Sequence, residues 1–320
     1  MALRIVFCGT PAFALPSLRH LIAQPEFRVE AVVTQPDRPR GRGQQVSSSP
    51  IKDAALEAGI PVYQPEKIKS ESARNFFERV APAVVVIIAY GQIIPQSLLD
   101  LPRLGWINLH ASLLPKYRGA APINWVVVNG ETRTGVTTMQ VEAGLDTGPI
   151  LQQRETEIGP DETAPELASR LAEIGAPLIA DTLRKLDGGE LRPQPQDNSK
   201  ATFAPLLKKE DGRIDWSWPA QSIYNRIRGL QPWPGAFSTF RGKNCHIWGH
   251  TASADTVSWT RDGTPGRVEG SIIARGQELV VVCGGETTLS VEFVQLEGRK
   301  RVSAGEFASG ARLVSTDRFE

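Results

Sequence analysis

Asn108 and His110 stand two residues apart where an apolar run, GWINLHA, gives way to the turn SLLPKYRG. An amide that donates and accepts, beside an imidazole that can carry a proton, suits a site that steadies a small polar group while a proton moves. If GWINLHA is a strand, alternate side chains share a face, so both groups project from the same side. The turn from Ser112 to Pro115 offers backbone amides beside them, suited to a flat polar ligand. Later in the chain, GLDTG sets Asp146 between glycines, in a turn that a sheet could return to the same rim. On residue type alone, Asp146 reads as a turn residue and His110 as a hydrogen-bonded core residue more readily than as catalysts. Ser112 as an acyl nucleophile lacks a base, since Leu113 and Pro115 supply none.

Those residues need a frame to hold them. Up to about residue 188, short β-branched runs alternate with helical stretches: LRIVFCG with AFALPSLRHLIA, RVEAVVTQ with SPIKDAALEAG, AVVVIIAYG with PQSLLDLP, and GWINLHA with APINWVVVNG. Such alternation predicts βαβ units, hence an α/β, Rossmann-like domain whose mainly parallel sheet carries helices on both faces. GVTTMQV and ILQQRETEI are expected as an antiparallel pair at one edge, and the long helical pattern opening APELASRL stops at Gly188 and Gly189. In open sheets of this kind ligands lie beyond the carboxyl ends of the strands, where Asn108 and His110 fall. The proline-rich stretch 189–205 reads as a linker. Beyond it, one helix at PAQSIYNRIRGL precedes short strand-like segments punctuated by glycine, with a hairpin turn at Gly284 and Gly285. They predict a smaller C-terminal β-barrel, OB-like in character. The expected domains are therefore 1–188 and 206–320.

Composition narrows the function classes. At 320 residues, 41% hydrophobic and 22% charged, the chain has the length for two domains of ordinary soluble type. Its longest apolar run, AVVVIIAY, falls far below the ~20 residues of a spanning helix, so no membrane association is expected. The opening LRIVFCGTPAFA reads better as strand and turn than as a secretion signal. Cys8, Cys245 and Cys283 are odd in number and distant from one another, and His246 beside Cys245 is the one neighbouring imidazole; they predict neither a metal site nor a disulfide framework, and they suit the reducing cytoplasm. The first turn, CGTPAFA, lacks the second glycine of a dinucleotide fingerprint, and Pro11 would obstruct a pyrophosphate. With a net charge of +1, any nucleic-acid binding must rest on local clusters. The candidates are Arg38, Arg40 and Arg42 in DRPRGRGQQ, and GRKR at 298–301. Residues 206–320 hold 15 Lys plus Arg against 13 Asp plus Glu, so that region is no polycation. Lys208, Lys209, Arg213 and Lys243 join GRKR as candidate phosphate contacts, while Trp216, Trp218, Trp233 and Trp248 are expected in the core.

NLHASLLPKYRGAAPI together with GLDTG resembles the signature of the formyltetrahydrofolate-dependent formyltransferases. FCGTP, TQPDRPRGRG, AYGQIIP, RIDWSWPA and IRGLQPWPGAF extend the likeness along nearly the whole chain, toward the branch acting on methionyl-tRNA. The resemblance implies that Asn108, His110 and Asp146 form a catalytic trio and that Ser112, Leu113, Leu114 and Pro115 make the folate-binding turn. It implies that Arg42, with Arg38 and Arg40, contacts tRNA. The implied reaction moves a formyl group from 10-formyltetrahydrofolate, a co-substrate needing no metal, to the methionine α-amine of initiator methionyl-tRNA. The implied enzyme is a cytoplasmic monomer. Asn108 and His110 would donate to the oxyanion, and Asp146 would assist His110 and help move the amine proton to the departing folate nitrogen. A sugar-nucleotide or purine-precursor N-formyltransferase, or the hydrolase portion of formyltetrahydrofolate dehydrogenase, would share the trio and the turn; the Arg-rich loop separates them. A non-catalytic RNA-binding protein would bind RNA without turning over the folate.

Overall fold

The computed structural model describes residues 1–40, 45–252 and 268–320. Contacts divide the chain into two units: Met1–Pro122, Arg133–Glu157 and Glu166–Pro205 form the first, and Ile123–Thr132, Ile158–Pro165 and Leu206–Glu320 the second.

The first half of the chain runs through β1 (Leu3–Gly9), α1 (Leu15–Ile22), β2 (Phe27–Val33), β3 (Arg38–Arg40), β4 (Gln45–Ser47), α2 (Pro50–Glu57) and β5 (Val62–Tyr63). It continues with α3 (Glu71–Val80), β6 (Val84–Ile88), α4 (Gln96–Leu99), β7 (Trp106–His110), α5 (Pro122–Val128), β8 (Arg133–Gln140), β9 (Ile150–Glu157) and α6 (Ala164–Asp187). Seven strands make one sheet in the order β5-β2-β1-β6-β7-β8-β9. The pairings from β5 across to β7 are parallel, whereas β7–β8 and β8–β9 are antiparallel. The antiparallel edge pair expected of GVTTMQV and ILQQRETEI is thus present. β6 reads VVVII and is buried at every position, as a strand covered on both faces must be. Four elements of this half escape the sequence reading. β5 is only two residues long, β3 and β4 pair inside what reads as the Arg-rich loop, and α3 is announced mainly by its cap, Ser70, which accepts from the Ala73 N–H. α3 buries Phe77 against Trp106 of β7, with ring centroids 5.2 Å apart.

On β7, Leu109 and His110 face opposite ways. Leu109 meets α6, where a Cβ at Gly175 would come within 2.4 Å of its Cδ2, so a larger residue there would require Leu109 to move. Asn108 and His110 are therefore turned away from α6.

The last part of the chain contributes α7 (Ala220–Gly229), β10 (Phe237–Phe240), β11 (Lys243–Thr251), β12 (Ile272–Arg275), β13 (Glu278–Cys283), β14 (Thr287–Leu296), β15 (Val302–Ser303) and α8 (Ala304–Ala311). Its antiparallel sheet runs β10-β11-β14-β13-β12, with β15 added on β14. Residues 317–320 close it. Phe319 bridges Phe240 beside β10, Glu320 exchanges backbone hydrogen bonds with Thr239, and Arg318 bridges Ser271 beside β12, so one short segment joins the two outer strands into a barrel. The core holds Ile214, Trp216, Ile247, Leu279, Val291 and Phe319. Of the other tryptophans expected there, Trp218 and Trp248 are half-buried and Trp233 is 54% exposed.

Residues 123–132 and 158–165 belong to unit 2 because α7 recruits them. Gly229 accepts from Asn124 Nδ2 (2.7 Å), Tyr224 Oη donates to Asp161 (2.8 Å), and the buried Arg228 guanidinium donates to the carbonyls of Gly159 and Glu162. No sequence periodicity announces these side-chain bonds, which is why the boundary at 188 reads as simple from the sequence.

Candidate active site

Asn108 and His110 end β7, and their strand neighbours fix their surroundings. Asn108 is in register with Met139 of β8 and Ile87 of β6, and His110 with Thr137. Asn108 is half-buried; His110 is 6% exposed. His110 Nε2 lies 2.9 Å from the Tyr117 carbonyl, which can only accept, so that nitrogen carries a proton and donates. Nδ1 is then the position left for chemistry, and it faces Asp146 Oδ2 at 3.7 Å. That separation is longer than a direct hydrogen bond and leaves Nδ1 and the carboxylate open to share a third polar atom.

Asp146 does not arrive by the route the sequence suggests. The loop that carries it leaves β8 at Gln140, opposite Ile107, and Val141 N–H bonds the Trp106 carbonyl, so its anchors sit at the amino end of β7. Asp146 reaches His110 by folding back along the strand, roughly 10 Å at 3.3 Å per residue. Several bonds hold it there. The Gly119 N–H donates to Asp146 Oδ2 (2.8 Å), while Gln196 Nε2 donates to the carbonyls of Asp146 (2.8 Å) and Gly148 (2.7 Å). A Cβ at Gly148 would lie 1.9 Å from the Gln140 carbonyl oxygen, so the loop closes only with glycine there. Asp146 (φ 49°) and Tyr117 (φ 59°) both occupy the left-handed region, a cost of order 1–2 kcal/mol each that surrounding bonds must overcome.

The turn after β7 is held from beneath. The fully buried Thr137 hydroxyl donates to the Ser112 carbonyl (2.6 Å) and accepts from the Leu114 N–H (3.2 Å) and Gln153 Nε2 (2.9 Å). Gln153, in register with Thr137 on β9, also donates to the Leu114 carbonyl (2.9 Å). Ser112 is wholly buried, with its hydroxyl donating to the Lys116 carbonyl, and Leu114 is 3% exposed. Of the four turn residues, Leu113 and Pro115 are the half-exposed ones, so their apolar surface is open to solvent while Ser112 and Leu114 anchor the turn.

Lys116 and Arg118 read from sequence as weaker candidates for tRNA contact, equally explained as solvated turn charges, yet they differ. Lys116 is exposed, whereas Arg118 is 4% exposed and donates to Gln196 Oε1 (3.0 and 2.7 Å) and Asn198 Oδ1 (2.9 Å). Its backbone bonds Thr202 and Ala204. The stretch 189–205 is thereby tied into unit 1 over its second half, although its prolines and lack of apolar periodicity give no hint of that.

Of the Arg-rich segment, Arg38 is exposed, lies 3.6 Å from Glu66 and lines a cavity of about 540 Å³ with Thr10, Gln35, Tyr90 and Gln92. This cavity opens at the carboxyl ends of β1, β2 and β6, where the strand order reverses direction and open α/β sheets bind ligands. Arg40 lies in β3; Arg42 falls outside the described residues. Lys208, Lys209, Arg213, Lys243, Arg299, Lys300 and Arg301 are all exposed, and Arg301 lies over the rings of Trp248 and Phe293. All three cysteines are free and buried, and burial pushes the Cys245 and Cys283 thiols up to about 12. Among the described residues no cluster of three or more metal-type ligands occurs, and no helix is long and apolar enough to cross a membrane.

Comparison with known proteins supplies the family. Residues 3–183 match the formyl transferase family and residues 206–312 the formyl transferase C-terminal domain. The chain belongs to the formyl transferase family. Within that family, it is 53% identical to the methionyl-tRNA formyltransferase of Solibacter usitatus over 99% of this chain and 98% of that one. It is 50% identical to the enzyme of the same name from Koribacter versatilis, over 98% of each. Among solved structures, WlaRD, a sugar 3N-formyl transferase crystallised with dTDP and 5-N-formyl-THF, shares the fold at a TM-score of 0.65 and 17% identity, covering 94% of this chain and all of WlaRD. Formyl transferases of this family use a folate co-substrate.

Proposed function

We propose that the chain transfers the formyl group of 10-formyltetrahydrofolate to the α-amine of methionine on initiator tRNA, giving N-formylmethionyl-tRNA and tetrahydrofolate. The observation that carries this reading is the identity of half or more, over nearly the whole chain, with proteins named methionyl-tRNA formyltransferase. The geometry of His110 and Asp146 agrees with it.

Asn108, His110 and Asp146 take the catalytic roles. The amine nitrogen attacks the formyl carbon, negative charge builds on the formyl oxygen, the bond to the folate nitrogen breaks, and the amine proton passes to that nitrogen. The Asn108 amide donates to the developing oxyanion, an interaction whose loss typically costs ~10²-fold or more. With Nε2 engaged by Tyr117, His110 acts through Nδ1, and the gap between Nδ1 and Asp146 is where the proton in transit is handled. Leu113 and Pro115, in a turn anchored by Ser112 and Leu114, hold the folate. Arg38, Arg40 and Arg42 meet the acceptor end of the tRNA, and the position of Arg38 on the rim of the 540 Å³ cavity supports this placement.

Incubating the protein with methionyl-initiator tRNA and 10-formyltetrahydrofolate tests the whole reading: N-formylmethionine should appear on the tRNA, and its absence eliminates the proposal. Arg42→Ala should raise KM for the tRNA by about tenfold with little change for the folate, because a guanidinium that neutralises phosphate has no role at a pterin. Equal losses for both substrates would remove Arg42 from tRNA recognition.

A further inference from the structure

The Asp146 loop is carried away from its own anchors, and one side chain from a distant stretch holds it in place. Gln196 is half-buried in a run that is otherwise mostly exposed, from Arg192 to Lys200. Its carboxamide is used to capacity. The two N–H bonds go to the carbonyls of Asp146 and Gly148, and the oxygen accepts both Nε (3.0 Å) and Nη2 (2.7 Å) of Arg118. Partner chemistry fixes the orientation: carbonyls only accept and a guanidinium only donates, so the amide cannot be turned over without losing all four bonds. The two clamped carbonyls flank Thr147 and begin at the residue whose carboxylate faces His110.

We propose that Gln196 is a positioning residue for formyl transfer: by gripping both carbonyls, it sets the Asp146 carboxylate against His110 Nδ1. The proposal rests on the catalytic role given to Asp146 above. It makes the stretch leading toward residue 206 part of the machinery rather than a passive connector.

Gln196→Glu separates this role from a merely structural one. A carboxylate still accepts from the buried Arg118, so the fold survives and the thermal midpoint should stay within a few degrees. It cannot donate, and it sets negative oxygen against two carbonyl oxygens, so the loop is released. The expected result with the full-length chain is a fall in kcat of about tenfold or more, with KM for initiator methionyl-tRNA and for 10-formyltetrahydrofolate within about twofold. Should this variant prove unstable, Gln196→Met, of matched length and without a donor, should show the same split. In an Asp146→Asn background Gln196→Glu should add nothing, because the carboxylate it positions is gone. An unchanged kcat in a folded variant, a rise in KM alone, or a full additional loss in the double variant overturns the proposal. Inactive Asp146→Asn beside fully active Gln196→Glu sinks only the positioning role; fully active Asp146→Asn sinks the underlying reading of the site.

Discussion

Two faces of one strand pair do different work with the same residue types. On the face of β8–β9 toward the turn, Thr137 and Gln153 pair across the strands and bond the backbone of Ser112 and Leu114. One residue further along, on the opposite face, Thr138 and Gln152 pair in the same way and bond α6 instead. The Thr138 and Thr182 hydroxyls meet at 2.9 Å, Thr182 donates to Gln152 Oε1 (2.6 Å), and Gln152 Nε2 donates to Asp181 (2.9 Å). Alternation of side chains alone separates them. A polar pair under a loop fixes the turn proposed to hold the folate, whereas a polar pair under a helix contributes to stability. Residue type therefore does not reveal which is functional; the element each pair holds does.

Thr137→Val breaks the comparison hardest. It removes the hydroxyl that three groups share, and the turn shifts beside His110. A fall in kcat of about 10²-fold is expected, since misplacement by about 1 Å costs that much, with a stability loss of about 1–3 kcal/mol from the groups left unpaired. Steady-state rates corrected for the folded fraction check this. Thr138→Val should cost a similar 1–3 kcal/mol by urea denaturation while leaving the specific activity of the folded protein unchanged; a rate loss matching that of Thr137→Val would erase the distinction. The smallest effect carries the contrast into unit 2, where Asp317 accepts from Arg241 (2.8 and 2.6 Å) and from the Val314 N–H. The Arg241 guanidinium holds the Asp317 carboxyl below its usual value, so its contribution is present above the ordinary carboxylate range and lost as pH falls through the lowered folded value. Arg241 is half exposed, so Asp317→Asn should cost only about 1 kcal/mol or less at neutral pH. The gap between the variant and the unaltered chain should begin to narrow below about pH 4 and close only once the pH has fallen past the lowered folded value, with activity at neutral pH unaffected.

The sheet and the first two site residues are legible in the sequence because both rest on local periodicity. The β-branched run VVVII favours a doubly covered strand, and Asn108 and His110 share a face once GWINLHA is a strand. The rest depends on returns of the chain that no local pattern encodes. Asp146 reads by residue type as a turn residue and gains a catalytic role only through resemblance, since its loop starts at the amino end of β7 and must fold back. Thr137 and Gln153 gain their meaning from register. Gln196 and Arg118 lie 78 residues apart and look, residue by residue, like solvent-exposed polar groups. α3 has the cap and the apolar spacing of a helix, yet its mean character is polar enough to pass for a loop.

The closure of the barrel by residues 317–320 has a consequence for behaviour in concentrated solution. β10 and β12 are outer strands, and an uncovered outer strand is a template on which another copy can add and from which aggregates grow. The segment Asp317–Glu320 occupies both rims with backbone bonds to Thr239 and Ile272. A stretch of four residues thus blunts two recruitment edges at once.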